Sequence, residues 1–273
     1  MTVLPCRVDV DEQSLPMDPS REQSVSSDIK QAERGQEQSS ILNSQFSILL
    51  NAAWAVFRKD LRAELRTRYA LNAVALFAVS TVVALSLGVG FLTPGRNADL
   101  PLIHAALLWV AVLFAAFTGL ARAFVQEEEA RTAAALRLAA PPIAVYLGKL
   151  LFNLALLLLL DVLVALLFVV LLHVRIGNVG LFAALLLAGS LGMVAATTLI
   201  AAIIARASVK GALFAVLSFP LLVPLLVVAI QGTALALQGE GWEPGAAPLQ
   251  VLIAYTVALF VASLFLFGSV WEA

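Results

Sequence analysis

The chain has 273 residues, of which 61% are hydrophobic and 13% are charged, and its formal net charge is −1. Charged residues make up about a quarter of an average soluble domain, so this composition predicts a protein of the lipid bilayer. The net charge near zero gives no reason to expect a nucleic-acid partner. A single cysteine, Cys6, excludes an internal disulfide and any metal cluster built from cysteines alone.

Residues 1–45 are polar and of mixed charge, and Ser, Gln, Glu and Asp are abundant in residues 1–40. Such a stretch buries too little apolar surface to offset the entropy lost on ordering, so it predicts a disordered tail. The rest of the chain, residues 46–273, is predicted to form a single membrane domain.

The segment WAVFRKDLRAELRTRY, residues 54–69, predicts an interfacial helix that precedes the first span. Its apolar side chains recur every three or four residues and therefore share one helical face. These are Trp54, Phe57, Leu61 and Leu65, while basic residues such as Arg58 and Arg62 occupy the remaining surface. A helix of this kind lies on the cytoplasmic leaflet with its apolar face toward the lipid. The alternative is a basic flank that orients the first span and happens to be helical.

Six apolar segments follow, each long enough to be a transmembrane helix. A helix needs roughly 20 apolar residues to cross a hydrocarbon core of about 30 Å. Because backbone groups cannot stay unpaired in lipid, these segments must be helical, and the predicted fold class is an all-α membrane protein. The predicted spans are residues 71–91, 102–124, 146–172, 179–204, 212–236 and 249–270.

Lys and Arg residues near the span ends lie overwhelmingly on one side of the membrane. Eleven of them precede the first span or follow the second and fourth spans, whereas the other side holds only Arg96 and Arg175. Basic flanks stay in the cytoplasm. We therefore predict a multi-pass protein whose two termini and whose loop 125–149 are cytoplasmic.

The loop between the second and third spans interrupts the apolar sequence with a charged segment. Glu127 and Arg131 are four residues apart in the order that stabilises a helix, and the residues up to Ala140 have high helix propensity. Pro141 and Pro142 then end the segment. The pattern predicts a short cytoplasmic helix joined rigidly to the third span, able to pass motion from a cytoplasmic motor to the bilayer. An ordinary solvated loop is the alternative.

Asp161 is the one acidic residue deep inside a predicted span. Burying a charge there is costly, so such a residue usually faces the interior of the bundle and serves the function. Asn153 lies about two turns earlier, on roughly the same side. A packing residue that is protonated or hydrogen-bonded is the alternative.

Proline and glycine residues mark the fourth and fifth spans. Gly189 and Gly192 favour close packing of the fourth span against its neighbours. Pro220 and Pro224 predict a kink in the fifth span, because each removes a backbone donor and clashes with a preceding carbonyl.

The two histidines, His104 and His173, both lie at the outer ends of predicted spans. Such a pair would suit axial ligation of haem, but two interfacial histidines are common by chance, and we assign no haem ligand to this chain. The motifs GxxxxGK[ST], HExxH and GxSxG are all missing from the sequence. We predict that the chain is not an enzyme and that it has no catalytic, metal-binding or cofactor-binding residue of its own.

Four segments, in this order, resemble one known family. They are FRKDLRAELR before the first span, LLWVAVLFAAFTGLARAFVQEEE across the second, YLGKLL at the start of the third, and SVKGALFAVLSFPLLVPLLV in the fifth. Together they resemble the permease subunit of the bacterial haem exporter, the cytochrome c maturation protein B family, over roughly residues 54–270. The resemblance implies an ABC-2-type permease with six transmembrane helices in the bacterial inner membrane.

The same resemblance implies a set of partners. The chain would work as a pair with two copies of a separate ATPase subunit, which binds the ATP. The complex would also contain a haem-handling membrane protein, a small single-span subunit and a periplasmic haem chaperone, so that haem is handled by the complex and not by this chain alone. Its implied function is to couple ATP hydrolysis to haem export or to release of the haem-loaded chaperone.

The resemblance also implies a role for each of two segments. Residues 54–69 are similar to the elbow helix of the ABC-2 fold, and residues 125–140 are similar to the coupling helix that sits in a cleft of the ATPase. The side chains implied at the ATPase interface are Glu127, Glu128, Glu129, Arg131 and Leu136.

Three other functions compete with this interpretation. A different ABC-2 permease would export lipid, polysaccharide or a drug, and would not co-purify with a haem-handling partner. A secondary transporter would use Asp161 as a proton site and would need no ATPase. A structural membrane scaffold would tolerate loss of the acidic loop.

Overall fold

The computed structural model describes residues 44–66, 68–92, 100–120, 140–204 and 210–272. The chain divides into two units, Met1–Ile48 and Leu49–Ala273, and of the first unit only residues 44–48 are described. The predicted tail therefore lies outside the described residues except for its last two positions, which are helical. The predicted coupling helix also lies outside them, up to residue 139.

Seven helices account for nearly all of the described residues, and these residues contain no strand. α1 covers residues 44–66. Each of the six helices that follow is long and apolar enough to cross a membrane, and each coincides with one predicted span. They are α2 Tyr69–Leu92, α3 Leu100–Leu120, α4 Pro142–Leu171, α5 Val179–Ile204, α6 Lys210–Gln238 and α7 Trp242–Glu272. The predicted all-α fold with six transmembrane helices is confirmed.

Two of these helices begin more than two residues earlier than the sequence predicts. α4 starts at Pro142 and not near residue 146, because the fixed φ and the missing N–H of proline suit the first helical position. α7 starts at Trp242 and not at residue 249, and Pro244 falls in its first turn, where an N–H would have no helical partner. The connection between α6 and α7 is therefore reduced to residues 239–241.

α5 is the central helix of the bundle. It packs against α3, α4, α6 and α7, and 67% of its span is buried, compared with 17% for the spans of α2 and α7. Helices associate in lipid through close packing and interhelical hydrogen bonds, since lipid tails are as apolar as leucine. The contacts of α5 therefore determine which polar side chains of its neighbours are enclosed.

Small residues on α5 allow its neighbours to approach closely. A Cβ on Gly189 would lie 2.2 Å from Cη2 of Trp109, and a Cβ on Gly192 would lie 2.3 Å from Cδ1 of Leu225. The indole of Trp109 is fully buried and donates a hydrogen bond of 2.9 Å to Thr233 Oγ1 on α6. α3, α5 and α6 thus interlock around one aromatic side chain.

The turn between α4 and α5 is bonded to the turn between α6 and α7. Asn178 Oδ1 accepts the Leu181 N–H and so caps α5, while its Nδ2 donates to the Glu240 carbonyl at 3.0 Å. Gly239 ends α6 with φ +87, and a Cβ on Gly177 would lie only 2.3 Å from its Cα. We call this the turn end of the bundle, and we call the opposite end, which holds α1 and the first turns of α4, the elbow end.

Candidate functional site

α1 rests on the bundle through a face of small side chains. Ala53 and Val56 are almost fully buried. Gly148 of α4 lies directly beneath them, so closely that a Cβ there would be 2.6 Å from the Ala53 carbonyl oxygen and 2.7 Å from Cβ of Val56. Only a glycine allows the two helices to cross at this distance, since the nearest atom belongs to the backbone and cannot rotate away.

The apolar stripe that the sequence predicts on α1 lies on a different face. Trp54 and Leu65 are 54% and 53% exposed, and Phe57 and Leu61 are partly buried. The rings of Trp54 and Phe57 stack with their centroids 4.9 Å apart. Two basic residues of the predicted site, Arg58 and Arg62, are exposed as well. The stripe is therefore exposed at Trp54 and Leu65 and only partly covered at Phe57 and Leu61, whereas Ala53 and Val56 make the close contact with the bundle.

α1 and α2 meet in a tight elbow. Arg68 lies between them in the left-handed conformation, with φ 53, and its N–H donates to the Glu64 carbonyl at 2.6 Å. The Glu64 carboxylate accepts the N–H of Leu71 at 2.9 Å. That N–H lies in the first turn of α2 and has no partner within its own helix, so Glu64 both ends one helix and caps the next.

A buried lysine joins α1 to α4 beside this crossing. The side chain of Lys149 is 1% exposed, and its Nζ lies 3.4 Å from Asp60 Oδ2 on α1. The other oxygen of Asp60, Oδ1, lies 3.2 Å from Nζ of Lys59, whose side chain is half exposed. A single carboxylate thus faces one enclosed and one accessible ammonium group.

Two hydrogen bonds between α4 and α5 form a buried polar seam. Ser190 donates to Asp161 Oδ2 at 2.5 Å, and Asn153 Nδ2 donates to Thr198 Oγ1 at 2.9 Å. All four side chains are at most 1% exposed. The spacing along α4 equals the spacing along α5, as expected for antiparallel helices, so Asp161 and Asn153 face the same neighbour. Asp161 Oδ1 and Asn153 Oδ1 have no hydrogen-bond partner in the described part of the chain.

Two tyrosines bind α7 to the rest of the bundle. Tyr146 in the first turns of α4 shares a hydrogen bond of 2.5 Å with Ser263, whose own hydroxyl donates to the Phe260 carbonyl. Near the middle of α7, the Tyr255 hydroxyl donates to the Leu221 carbonyl of α6 at 2.8 Å.

The prolines Pro220 and Pro224 both lie within the continuous helix α6. Each lacks the N–H that would bond the carbonyl four residues earlier. Between them lies Leu221, whose carbonyl accepts the hydrogen bond from the Tyr255 hydroxyl. The kink that the sequence predicts at this point remains a prediction.

Neither histidine takes part in the hydrogen bonds of the seam. His173 is exposed in the turn after α4, where its backbone is left-handed with φ 52, and His104 is partly buried in the first turns of α3. Within the described ranges, no group of three or more His, Cys, Asp or Glu residues could hold a metal ion.

An open groove of about 380 Å³ separates the turn-end halves of α5 and α7, and apolar atoms line it. The hydroxyl of Thr256 in its wall is turned toward the Ala188 carbonyl at 3.3 Å. The groove therefore suits a hydrocarbon chain and offers no group that would bind a charged cargo.

The sequence model of the CcmB protein family matches residues 51–271, which include most of α1 and all of α2–α6. The chain belongs to this family. A comparison with curated proteins finds no match. Membership in the CcmB family makes the chain an ABC permease component associated with haem transport in cytochrome c biogenesis, and with its six apolar helices it is a multi-pass membrane protein.

Sequence reasoning assigned no contact to the residues on which the elbow end depends. Asp60 and Gly148 lie in two of the segments that carry the family resemblance, FRKDLRAELR and YLGKLL, but the resemblance gives neither residue a role. Lys149 counts only as one of the basic residues that orient the spans. One signal could have suggested a buried role, since Lys149 lies two helical turns beyond Pro142 in an otherwise apolar segment. Its partner could not have been found this way.

Proposed function

We propose that this member of the CcmB family is the permease subunit that transmits ATP hydrolysis on a separate cytoplasmic subunit across the bilayer. Two copies of the ATPase and a second copy of this chain complete the transporter. Its work is haem export or release of the haem-loaded periplasmic chaperone, and this chain holds no cofactor by itself. The observation that carries the proposal is the family match over residues 51–271, together with a helical elbow that is tied directly to the helix following the coupling segment.

The proposed orientation places the elbow end in the cytoplasm and the turn end outside the bacterial inner membrane. The concentration of Lys and Arg at the elbow end supports it. In a Cys6→Ser background, cysteines at Glu128 and Gly241 should react with an impermeant maleimide from opposite sides. Gly241 has open space around it, so the cysteine fits there. Labelling of both positions from outside would exclude this six-span arrangement.

The proposed place of α1 is the surface of the cytoplasmic leaflet. Its exposed stripe, with the stacked Trp54 and Phe57, would enter the boundary between headgroups and acyl chains, and the neighbouring Arg58 and Arg62 would meet anionic headgroups. The buried face with Ala53 and Val56 supports this placement, because it leaves Trp54 and Leu65 of the stripe exposed.

The proposed contact with the ATPase is the coupling helix within residues 125–140, which leads through Pro141 and Pro142 into α4. A change of Glu127, Glu128 and Glu129 to lysine should leave insertion intact, because added positive charge on the cytoplasmic side agrees with the topology rule. It should weaken ATPase binding, since unpaired or repelling charge at an interface costs several kcal/mol. Leu136→Asp should act in the same way through the apolar part of the contact.

The measurement is a pull-down of the ATPase subunit, normalised to membrane-inserted permease, with cytochrome c maturation assayed in parallel. Glu240→Lys is the matched control, because it reverses an exposed carboxylate at the turn end and should change nothing. If both coupling-helix variants retain the ATPase and normal maturation, Arg131 and its neighbours form only a solvated connection.

The proposed further partners are a haem-handling membrane protein, a small single-span subunit and the haem chaperone. Their co-purification with this chain distinguishes the proposal from an ABC-2 permease that exports lipid, polysaccharide or a drug. One observation favours an ion-coupled transporter instead, namely the unpartnered Oδ1 of Asp161 in the seam. Transport driven by an ion gradient in vesicles that contain this chain without the ATPase would establish that alternative.

A further inference from the structure

The first three turns of α4 contact three different helices of the bundle. Tyr146 bonds to α7, Gly148 and Lys149 contact α1, and Asn153 bonds to α5. α4 is one uninterrupted helix of 30 residues from Pro142 onward. A displacement of its start therefore moves all of these contacts together.

The contact between α4 and α1 can pass a movement from one helix to the other, in addition to holding the two helices together. At Gly148 the two helices approach so closely that a movement of α4 toward α1 must displace α1 as well. α1 is in turn bonded to α2, because the Glu64 carboxylate accepts the N–H of Leu71 in the first turn of α2. Asp60 and Lys149 add a charged contact between α1 and α4 beside this crossing.

Lys149 is enclosed and Asp60 is partly exposed, and an ion pair so largely removed from water needs a reason beyond stability, because apolar residues of similar volume are often as stabilising or more so. The position of Asp60 between Lys59 and Lys149 suggests such a reason. One of its oxygens lies against the enclosed Lys149 and the other against the accessible Lys59. A small rotation of the carboxylate would therefore tighten one contact while it loosens the other.

We propose that the Asp60–Lys149 ion pair, seated on the Gly148 crossing, is the joint through which the segment preceding α4 moves the elbow helix. Asp60 and Lys149 act as positioning residues and touch neither cargo nor nucleotide. The inference rests on the proposed function, since it requires a motion that the ATPase delivers to the start of α4.

The test uses the full transporter complex in nanodiscs, with an environment-sensitive fluorophore on a cysteine at the exposed Trp54 in a Cys6→Ser background. Addition of ATP should shift the fluorophore emission in the parent chain. Lys149→Met and Asp60→Asn should each reduce this shift and cytochrome c maturation roughly tenfold while ATPase pull-down stays normal. Arg66→Met is the matched control, because it removes one exposed cation from the same helix, about three turns from the fluorophore, and should keep the shift.

Two double variants separate coupling from mere structure. Asp60→Lys with Lys149→Asp re-forms the pair with exchanged charges and should restore at least part of the shift, which a defect of folding would not allow. Asp60→Asn with Lys149→Met leaves neither member of the pair charged in the joint, so it should insert normally and still lack the shift. This neutral double variant keeps the test decisive even where a single variant does not insert.

An ATP-dependent shift that persists in the neutral double variant would show that the ion pair transmits nothing, while normal pull-down would leave the proposed function standing. If the parent chain binds no ATPase and shows no shift, the proposed function is wrong and the inference falls with it.

Discussion

Gly189→Ala tests whether the interlock of α3, α5 and α6 holds the bundle together. The new Cβ would lie 2.2 Å from Cη2 of Trp109, whereas ordinary contacts begin at 3.4 Å. The indole or one of the helices must therefore move by roughly 1 Å, and overpacking of this kind costs about 1–3 kcal/mol. The same movement strains or breaks the hydrogen bond from Trp109 to Thr233, which is worth about 1 kcal/mol.

Gly88→Ala on α2 is the matched control, because nothing lies within 4 Å of a Cβ at that position. Both changes gain similar helix propensity, up to about 1 kcal/mol, so the difference between the two variants isolates the clash. We expect Gly189→Ala to be less stable than Gly88→Ala by about 2–4 kcal/mol, which is about a 30- to 700-fold lower ratio of folded to unfolded protein.

The assay is equilibrium unfolding in mixed micelles with increasing SDS, followed by tryptophan fluorescence and by size-exclusion profile. Trp109→Phe in the Gly189→Ala background should recover part of the loss, because the smaller ring leaves room for the methyl group. Equal unfolding free energies for Gly189→Ala and Gly88→Ala would refute the interlock as a source of stability.

The remaining predictions concern the seam, the histidines and the proline region. Asp161→Asn should insert and unfold like the parent chain, because an amide oxygen still accepts the hydrogen bond from the Ser190 hydroxyl. Normal cytochrome c maturation in that variant would make Asp161 a packing residue, whereas impaired maturation would make it functional. His104→Ala with His173→Ala should leave maturation and the haem content of the purified complex intact, since we place haem ligation on a partner. Loss of haem with normal assembly would overturn this. Tyr255→Phe should lower the unfolding free energy by about 0.5–1.5 kcal/mol through loss of the bond to the Leu221 carbonyl, and an unchanged SDS midpoint would contradict it.

The positions of the spans could be predicted because the bilayer leaves few choices. An apolar segment of sufficient length must be helical where no water can pair its backbone. The errors at Pro142 and Trp242 arise where this constraint ends. In water, the start of a helix is decided by local capping and by proline geometry, and the hydropathy of the segment carries no information about either.

The contacts within the bundle could not be predicted, and α4 shows why. Its side chains are apolar on every side, so no periodic pattern indicates which face turns inward. The single polar residues Asn153 and Asp161 suggest one face, but not that α5 covers it. For α1 the apolar stripe indicates the face predicted to meet lipid, but no pattern indicates that Ala53 and Val56, on another face, pack on the bundle.

The sequence by itself determined the number of spans, the elbow helix before them and the charge asymmetry across the membrane, because each follows from interactions of a segment with its solvent. Only the tertiary structure decided that Lys149 meets Asp60 and that Trp109 meets Thr233, which are 89 and 124 residues apart. Such pairs depend on the order, rotation and tilt of whole helices. The order, rotation and tilt of the helices are set by many small packing contacts between them, and the sequence of a single segment does not predict these contacts.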